Sequence, residues 1–267
     1  MKGILVGCGV MGKRHIFAIN KIFKSCKIYV VDKDCKKKRE VEKNKLCIGF
    51  TTDIQEIRET EVDFGIVSTS AERRFELIKD LVKRKPKVIL IEKPIEQSYE
   101  NCKKIESLRN DSIMFVNIIR QFSNFYNRQK KIVQKYLEIG EVDINIVGGS
   151  CGIGANGIHY LSLAMWLLNA NDFKIKHARI DKTILHSGRG RNYKDYGGLL
   201  VAELYNDKKK LGSINIQLSA NSTAPYVFVI TGKHLRIQID ELNRQYYITE
   251  KNKSFELPIH RYFEGYD

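Results

Sequence analysis

At 267 residues the chain has room for about two domains. With 43% hydrophobic residues and only four prolines it can bury a sizeable core, which excludes a disordered or fibrous chain. Lys and Arg outnumber Asp and Glu by 46 to 31, and a net charge of +15 would draw polyanions. The excess is dispersed in short clusters at 36–39, 83–87 and 208–210 without interleaved aromatic residues, so nucleic acid is not an expected partner.

Through about residue 118, short apolar runs alternate with amphipathic stretches, the pattern of parallel strands joined by crossover helices. Strands are expected at 2–6, 27–31, 46–50, 64–68, 88–91 and 113–117, and their near-continuous apolar character suits a sheet covered on both faces. Phe75, Ile78, Leu81 and Val82 recur at helical spacing, which predicts a helix over 72–84. A linking helix is expected over 124–137, followed by an apolar helix around 158–168. Beyond it Ser213 to Leu218 and Leu235 to Asp240 alternate apolar and polar residues, as half-buried strands do. Asp195 and Tyr196 fall just before a strand, as turn residues or as ligand contacts. The expected fold is α/β: a doubly wound parallel sheet of Rossmann type over 1–118, then an α+β domain with an open, mostly antiparallel sheet over 119–267. That second sheet packs on its own helices or on a second subunit.

No apolar run reaches the ~18 residues of a membrane span, and Lys13, Arg14 and His15 follow the first apolar residues too soon for a signal peptide. Cys8, Cys26, Cys35, Cys47, Cys102 and Cys151 form no C-x-x-C pair and no regular frame. A soluble protein of a reducing cytoplasm is expected, with neither a metal site nor a disulfide scaffold.

Gly7-Cys8-Gly9-Val10-Met11-Gly12 follows the first strand and opens a helix, the context that makes G-x-G-x-x-G informative. Gly7 allows the tight turn, Gly9 leaves room for a pyrophosphate, and Gly12 lets the helix pack closely while its N-terminal amides face the anion. Asp32, twenty residues beyond Gly12, can accept hydrogen bonds from a ribose diol, which favours NAD over NADP. Lys33 and the Lys36-Lys37-Lys38-Arg39 run are either a solvated basic helix start or a seat for a 2′-phosphate. NAD is the expected cofactor, with NADP as the alternative.

Glu92-Lys93-Pro94 ends the fifth strand, on the sheet edge where ligands of such folds bind. Beside a nicotinamide, Lys93 could shuttle a proton to or from a carbinol. Taken alone, Lys93 is also an ordinary charged residue before a strand-ending proline, and His159 an ordinary helix histidine.

Together with Thr69-Ser70 after the fourth strand, Val116 to Phe122 containing Arg120, and Gly157-Ile158-His159-Tyr160-Leu161 opening a helix, these motifs make the chain resemble the Gfo/Idh/MocA oxidoreductases over nearly its whole length. The resemblance implies a Rossmann domain followed by an open sheet that supplies the substrate pocket and often the oligomer interface, with a Lys-Pro bond that is often cis. It implies catalytic roles for Lys93 and His159, and cofactor contacts from Gly7, Gly9, Val10, Met11, Gly12, Asp32, Thr69, Glu92, Lys93 and Arg120. Lys93, Asn117, Tyr126 and His159 are the expected substrate contacts. Arg120 equally suits an ion pair between the domains.

Four positions depart from the family pattern: Ala155 and Ser162 replace acids, Ser70 replaces a proline, and a histidine is replaced near Arg74. The expected activity is an NAD(H)-dependent dehydrogenase acting on CH–OH of a sugar, an inositol or a nucleotide sugar, in a dimer or tetramer built through the C-terminal sheet. The alternatives are an NAD(P)H-dependent reductase of an imine or non-sugar ketone, and a non-catalytic dinucleotide-binding sensor or scaffold.

Overall fold

The computed structural model describes residues 1–110, 112–149, 151–186, 194–251 and 253–258. The chain divides into two compact units, Met1–Asn117 and Ile118–Asp267. Among the described residues no helix is long and apolar enough to cross a membrane.

In the first unit the order is β1 (Lys2–Val6), α1 (Val10–Ile22), β2 (Lys27–Val31), α2 (Lys38–Val41), β3 (Cys47–Thr51), β4 (Phe64–Val67), α3 (Arg74–Val82), β5 (Val88–Glu92), α4 (Tyr99–Ser107) and β6 (Ile113–Asn117). The strands pair in parallel in the order β3-β2-β1-β4-β5-β6. The chain therefore reverses direction across the sheet between β1 and β4, which leaves a crevice at the carboxyl ends of those strands. Successive strand residues face opposite sides. Leu5, Ile28 and Val30 pack with Ile16 and Ile19 of α1 on one face. On the other face Ile4, Val6, Ile89 and Ile91 pack with Ile78 and Leu81 of α3 and Ile105 of α4. This is the expected doubly wound sheet.

Local chemistry moves the bounds of two elements. The strand expected from Leu46 starts at Cys47 because Asn44 forms a turn, its Oδ1 accepting from the Leu46 amide at 3.0 Å and its carbonyl from the Cys47 amide at 2.9 Å. The helix expected over 72–84 is shorter because Arg73 adopts φ +60° before it and Lys85 φ +47° after it.

The second unit contains α5 (Asn124–Leu137), β7 (Val142–Gly148), α6 (Ile153–Leu168), β8 (Asp172–His186), β9 (Lys194–Asn206), β10 (Lys209–Leu218), β11 (Val227–Gly232), β12 (Leu235–Asp240), β13 (Gln245–Glu250) and β14 (Lys253–Pro258). They form a sheet ordered β14-β13-β12-β11-β7-β10-β9-β8, antiparallel except where β7 runs parallel to β10. The alternation read in β10 and β12 is the core face: Ile214, Ile216, Leu218, Leu235, Ile237 and Ile239 are buried together with Val133 and Tyr136 of α5 and Leu163, Ala164 and Leu167 of α6. The sheet thus packs on its own helices.

Two expectations are corrected in this unit. The apolar helix starts at Ile153, so His159 lies in its second turn, and Asp195 and Tyr196 lie inside β9. The two corrections share a cause, because Asp195 caps that earlier helix start: its Oδ1 and Oδ2 accept the amides of Gly154 and Ala155, each at 2.9 Å.

Candidate functional site

The carboxyl edge of the first sheet collects Gly7 from β1, Asp32 from β2, Thr69 from β4, Glu92 and Lys93 from β5 and Asn117 from β6. Gly7 turns at φ +92°, and its amide still bonds the Val31 carbonyl at 2.8 Å. A Cβ on Gly12 would lie 2.1 Å from the Gly7 carbonyl oxygen, so only glycine lets α1 seat this close to β1. A Cβ on Gly9 would meet nothing within 4 Å. The loop surface is therefore open over Gly9, where the helix starts without a side-chain cap and its first amides, Val10, Met11 and Gly12, point forward. This cradle fits a pyrophosphate. Ser68 fastens its far side by donating to the Gly7 carbonyl at 2.6 Å, which brings Thr69 against the glycine turn.

Asp32 is buried at the next strand end. Its Oδ2 accepts the Cys8 amide at 2.6 Å and the Lys37 ammonium at 2.8 Å, and its Oδ1 accepts the Asp34 amide at 3.0 Å. Burial pushes the carboxyl's pKa up, but the Lys37 bond and the two amides outweigh it, so the acid sits below its ordinary value.

At β5, Glu92 is buried between two donors. His15 Nε2, on α1, donates to Glu92 Oε1 at 2.8 Å, and Asn117 Nδ2 donates to the same oxygen at 2.7 Å. Burial raises the Glu92 pKa, yet these bonds and the charges of His15 and Arg74 leave it lowered. The Lys93-Pro94 peptide is cis.

The guanidinium of Arg74, 1% exposed, donates to the backbone carbonyls of Thr69, Glu92 and Pro94 and so ties the β4 loop to the Glu-Lys-Pro turn. Arg74 was visible in the sequence only as a departure from the family pattern. His15 stands one helical turn beyond Gly12 on the glycine-loop helix, and its spacing could have pointed to it.

In the second unit His159 is half-buried on α6. Ser162, three residues on, accepts Gln121 Nε2 at 2.8 Å. Arg120 and Tyr126 converge on one buried acid: Arg120 Nε and Nη2 donate to the two oxygens of Glu241 at 3.0 and 2.8 Å, Arg120 Nη2 also to the Tyr226 hydroxyl at 3.0 Å, and Tyr126 donates to Glu241 Oε1. Burial raises the Glu241 pKa, and the Arg120 bond and charge with the two tyrosine hydroxyls bring it below the usual carboxylate range. The Arg120 ion pair, weighed in the sequence as one between domains, has its partner within the second unit. Nothing local in the sequence marks Glu241, which lies 121 residues away in the chain.

Residues 1–114 match the model of the Gfo/Idh/MocA family, described as an oxidoreductase family with an NAD-binding Rossmann fold. No curated protein matches the sequence. Among solved structures, an oxidoreductase from Agrobacterium radiobacter in complex with NAD+, L-tartaric acid and magnesium is similar with a TM-score of 0.76 at 16% identity, over 97% of this chain and 79% of that one. The WlbA dehydrogenase from Chromobacterium violaceum, in complex with NADH and UDP-GlcNAcA, gives 0.71 at 17%, over 90% and 73%. The transcriptional regulator Gal80p from Kluyveromyces lactis gives 0.77 at 15%, over 98% and 76%. At these identities the likeness is one of fold. Over residues 1–114, the chain carries the NAD-binding Rossmann fold of the Gfo/Idh/MocA oxidoreductase family.

Proposed function

We propose that the protein is a cytoplasmic NAD(H)-dependent oxidoreductase acting on a sugar, an inositol or a nucleotide sugar, with Lys93 as the proton-transfer group. One observation carries this reading: the open glycine cradle, the buried Asp32 and the Glu92-Lys93-Pro94 turn stand at the carboxyl ends of β1, β2 and β5 on one sheet edge. Gly7, Gly9, Val10, Met11 and Gly12 would hold the pyrophosphate, Asp32 the adenosine ribose, and Thr69 and Glu92 the stretch toward the nicotinamide. When bound, that ring supplies hydride transfer. Lys93 would take the proton of the substrate hydroxyl in oxidation and return it in reduction. Asn117 and His159 are assigned to the substrate, whereas Tyr126, expected there too, is fully buried with its hydroxyl on Glu241 and serves only through that acid. Arg120, whose guanidinium is engaged on Glu241, is assigned to the cofactor through the segment it anchors.

One of the similar structures favours this substrate class, since it holds the nucleotide sugar UDP-GlcNAcA. The likeness to a transcriptional regulator, together with Ala155 where an acid would stand, favours a second reading as a dinucleotide-binding sensor. The same alanine suits reduction of an imine or a non-sugar ketone. The sheet face opposite α5 and α6 is assigned to self-association into a dimer or tetramer, readable by light scattering.

Titration with NADH and NADPH, followed by a screen of sugars, inositols and nucleotide sugars at the nicotinamide absorbance, tests the proposal. Lys93→Met should keep NADH affinity within about threefold while turnover falls roughly 10²–10⁴-fold. NADH binding with no turnover on any substrate would favour the sensor.

A further inference from the structure

Asp32 does not stand alone at the adenosine end of the proposed site. A carboxylate offers about four acceptor positions. Both at Oδ2 are filled, by the Cys8 amide and the Lys37 ammonium, and one at Oδ1 is filled by the Asp34 amide. A ribose diol presents two hydroxyls, so the acid as held here cannot accept both while Lys37 stays in place.

Lys37 is placed by its turn. Asp34 Oδ1 accepts the Lys36 amide at 3.1 Å and starts the 3-10 turn Cys35–Lys37. The Lys37 side chain is 29% exposed, partly wrapped yet open to solvent beside the acid. The surrounding segment is strongly cationic: residues 32–39 contain Lys33, Lys36, Lys37, Lys38 and Arg39 against Asp32 and Asp34. Among these, Lys38 pairs with Glu42 at 3.8 Å.

An acid after the second strand disfavours NADP because its charge repels a 2′-phosphate. An ammonium 2.8 Å from that acid offsets the repulsion, and one rotation about its flexible stem presents the same charge to a phosphate oxygen. We propose that Lys37 is a specificity-determining residue that opens the Asp32 pocket to a 2′-phosphate, so that the protein binds NADPH as well as NADH. The inference rests on the dinucleotide reading given above and adds the identity of its adenosine end.

The test is fluorescence titration of the full chain and three variants with NADH and NADPH, with folding checked by circular dichroism. Wild type should bind the two nucleotides within about tenfold of each other, and the NADPH affinity should fall more steeply with added salt. Lys37→Met should weaken NADPH about tenfold or more and leave NADH within about threefold, whereas Lys37→Arg should retain NADPH. Asp32→Asn should weaken NADH more than NADPH. A wild type that binds NADH but prefers it to NADPH by over a hundredfold overturns the proposal, as does a Lys37→Met variant that weakens both nucleotides equally. Binding of neither nucleotide by folded wild type defeats the dinucleotide reading itself, a result distinct from both.

Discussion

Asp195 occupies the space that a side chain at Gly152 would need. A Cβ on Gly152 would lie 2.0 Å from the Asp195 carboxyl carbon, and the same carboxylate accepts the first amides of α6. Helix start and strand β9 are therefore locked together by one acid and one missing side chain. Gly152→Ala should destabilise by ~1–3 kcal/mol through overpacking, and Asp195→Ala by ~1 kcal/mol through the lost cap. In the double variant the two effects should fall short of their sum by at least ~0.5 kcal/mol, read by urea unfolding. Simple additivity would break the argument.

Gly9→Ala separates binding from folding. The residue has φ −79° and ψ −163°, which alanine adopts, and its Cβ would touch no protein atom. Stability should stay within ~0.5 kcal/mol of wild type, while NADH affinity falls at least about tenfold because the methyl group stands where the pyrophosphate approaches. Unchanged calorimetric affinity would place the nucleotide elsewhere.

Arg74→Met should unfold the first unit more easily and disturb the Glu-Lys-Pro turn. Its guanidinium serves the carbonyls of Thr69, Glu92 and Pro94, and each buried carbonyl left without a donor costs ~1–3 kcal/mol. A total loss of at least ~2 kcal/mol is expected from denaturant midpoints. A loss below ~0.5 kcal/mol would show that water replaces the guanidinium.

The buried Arg120–Glu241 pair sets an acid-side limit. Glu241 has a folded pKa below its unfolded value of ~4.3, so its contribution is complete above that pH and is lost as pH falls through the folded value. Glu241→Gln, which leaves the Arg120 charge buried without its counter-ion, should cost about 3 kcal/mol at pH 7. Its deficit relative to wild type should shrink below about pH 4 in thermal melts. A deficit that is constant or grows toward pH 3 would contradict the assignment.

Local pattern made the first unit legible. Four of its six strands lie within the predicted bounds and the other two within one residue, because a parallel sheet covered on both faces demands unbroken β-branched and aliphatic runs. The glycine loop, Asp32 and Glu92-Lys93-Pro94 could be read for the same reason: their chemistry depends on residue type at fixed spacing along one strand end. What stayed hidden lies in contacts between distant segments. The start of α6, expected near 158, lies at Ile153 because Asp195 arrives from another strand to satisfy its amides, and Arg120, expected as a cofactor contact or an ion pair between the domains, has its guanidinium on Glu241. Lys37 was one charge among five on a basic run. Sequence alone determined which strands form the first sheet and which residue types stand along its carboxyl edge. Only the tertiary structure decided which charges are already spent, because hydrogen bonds between segments apart in the chain leave no periodic trace in either one.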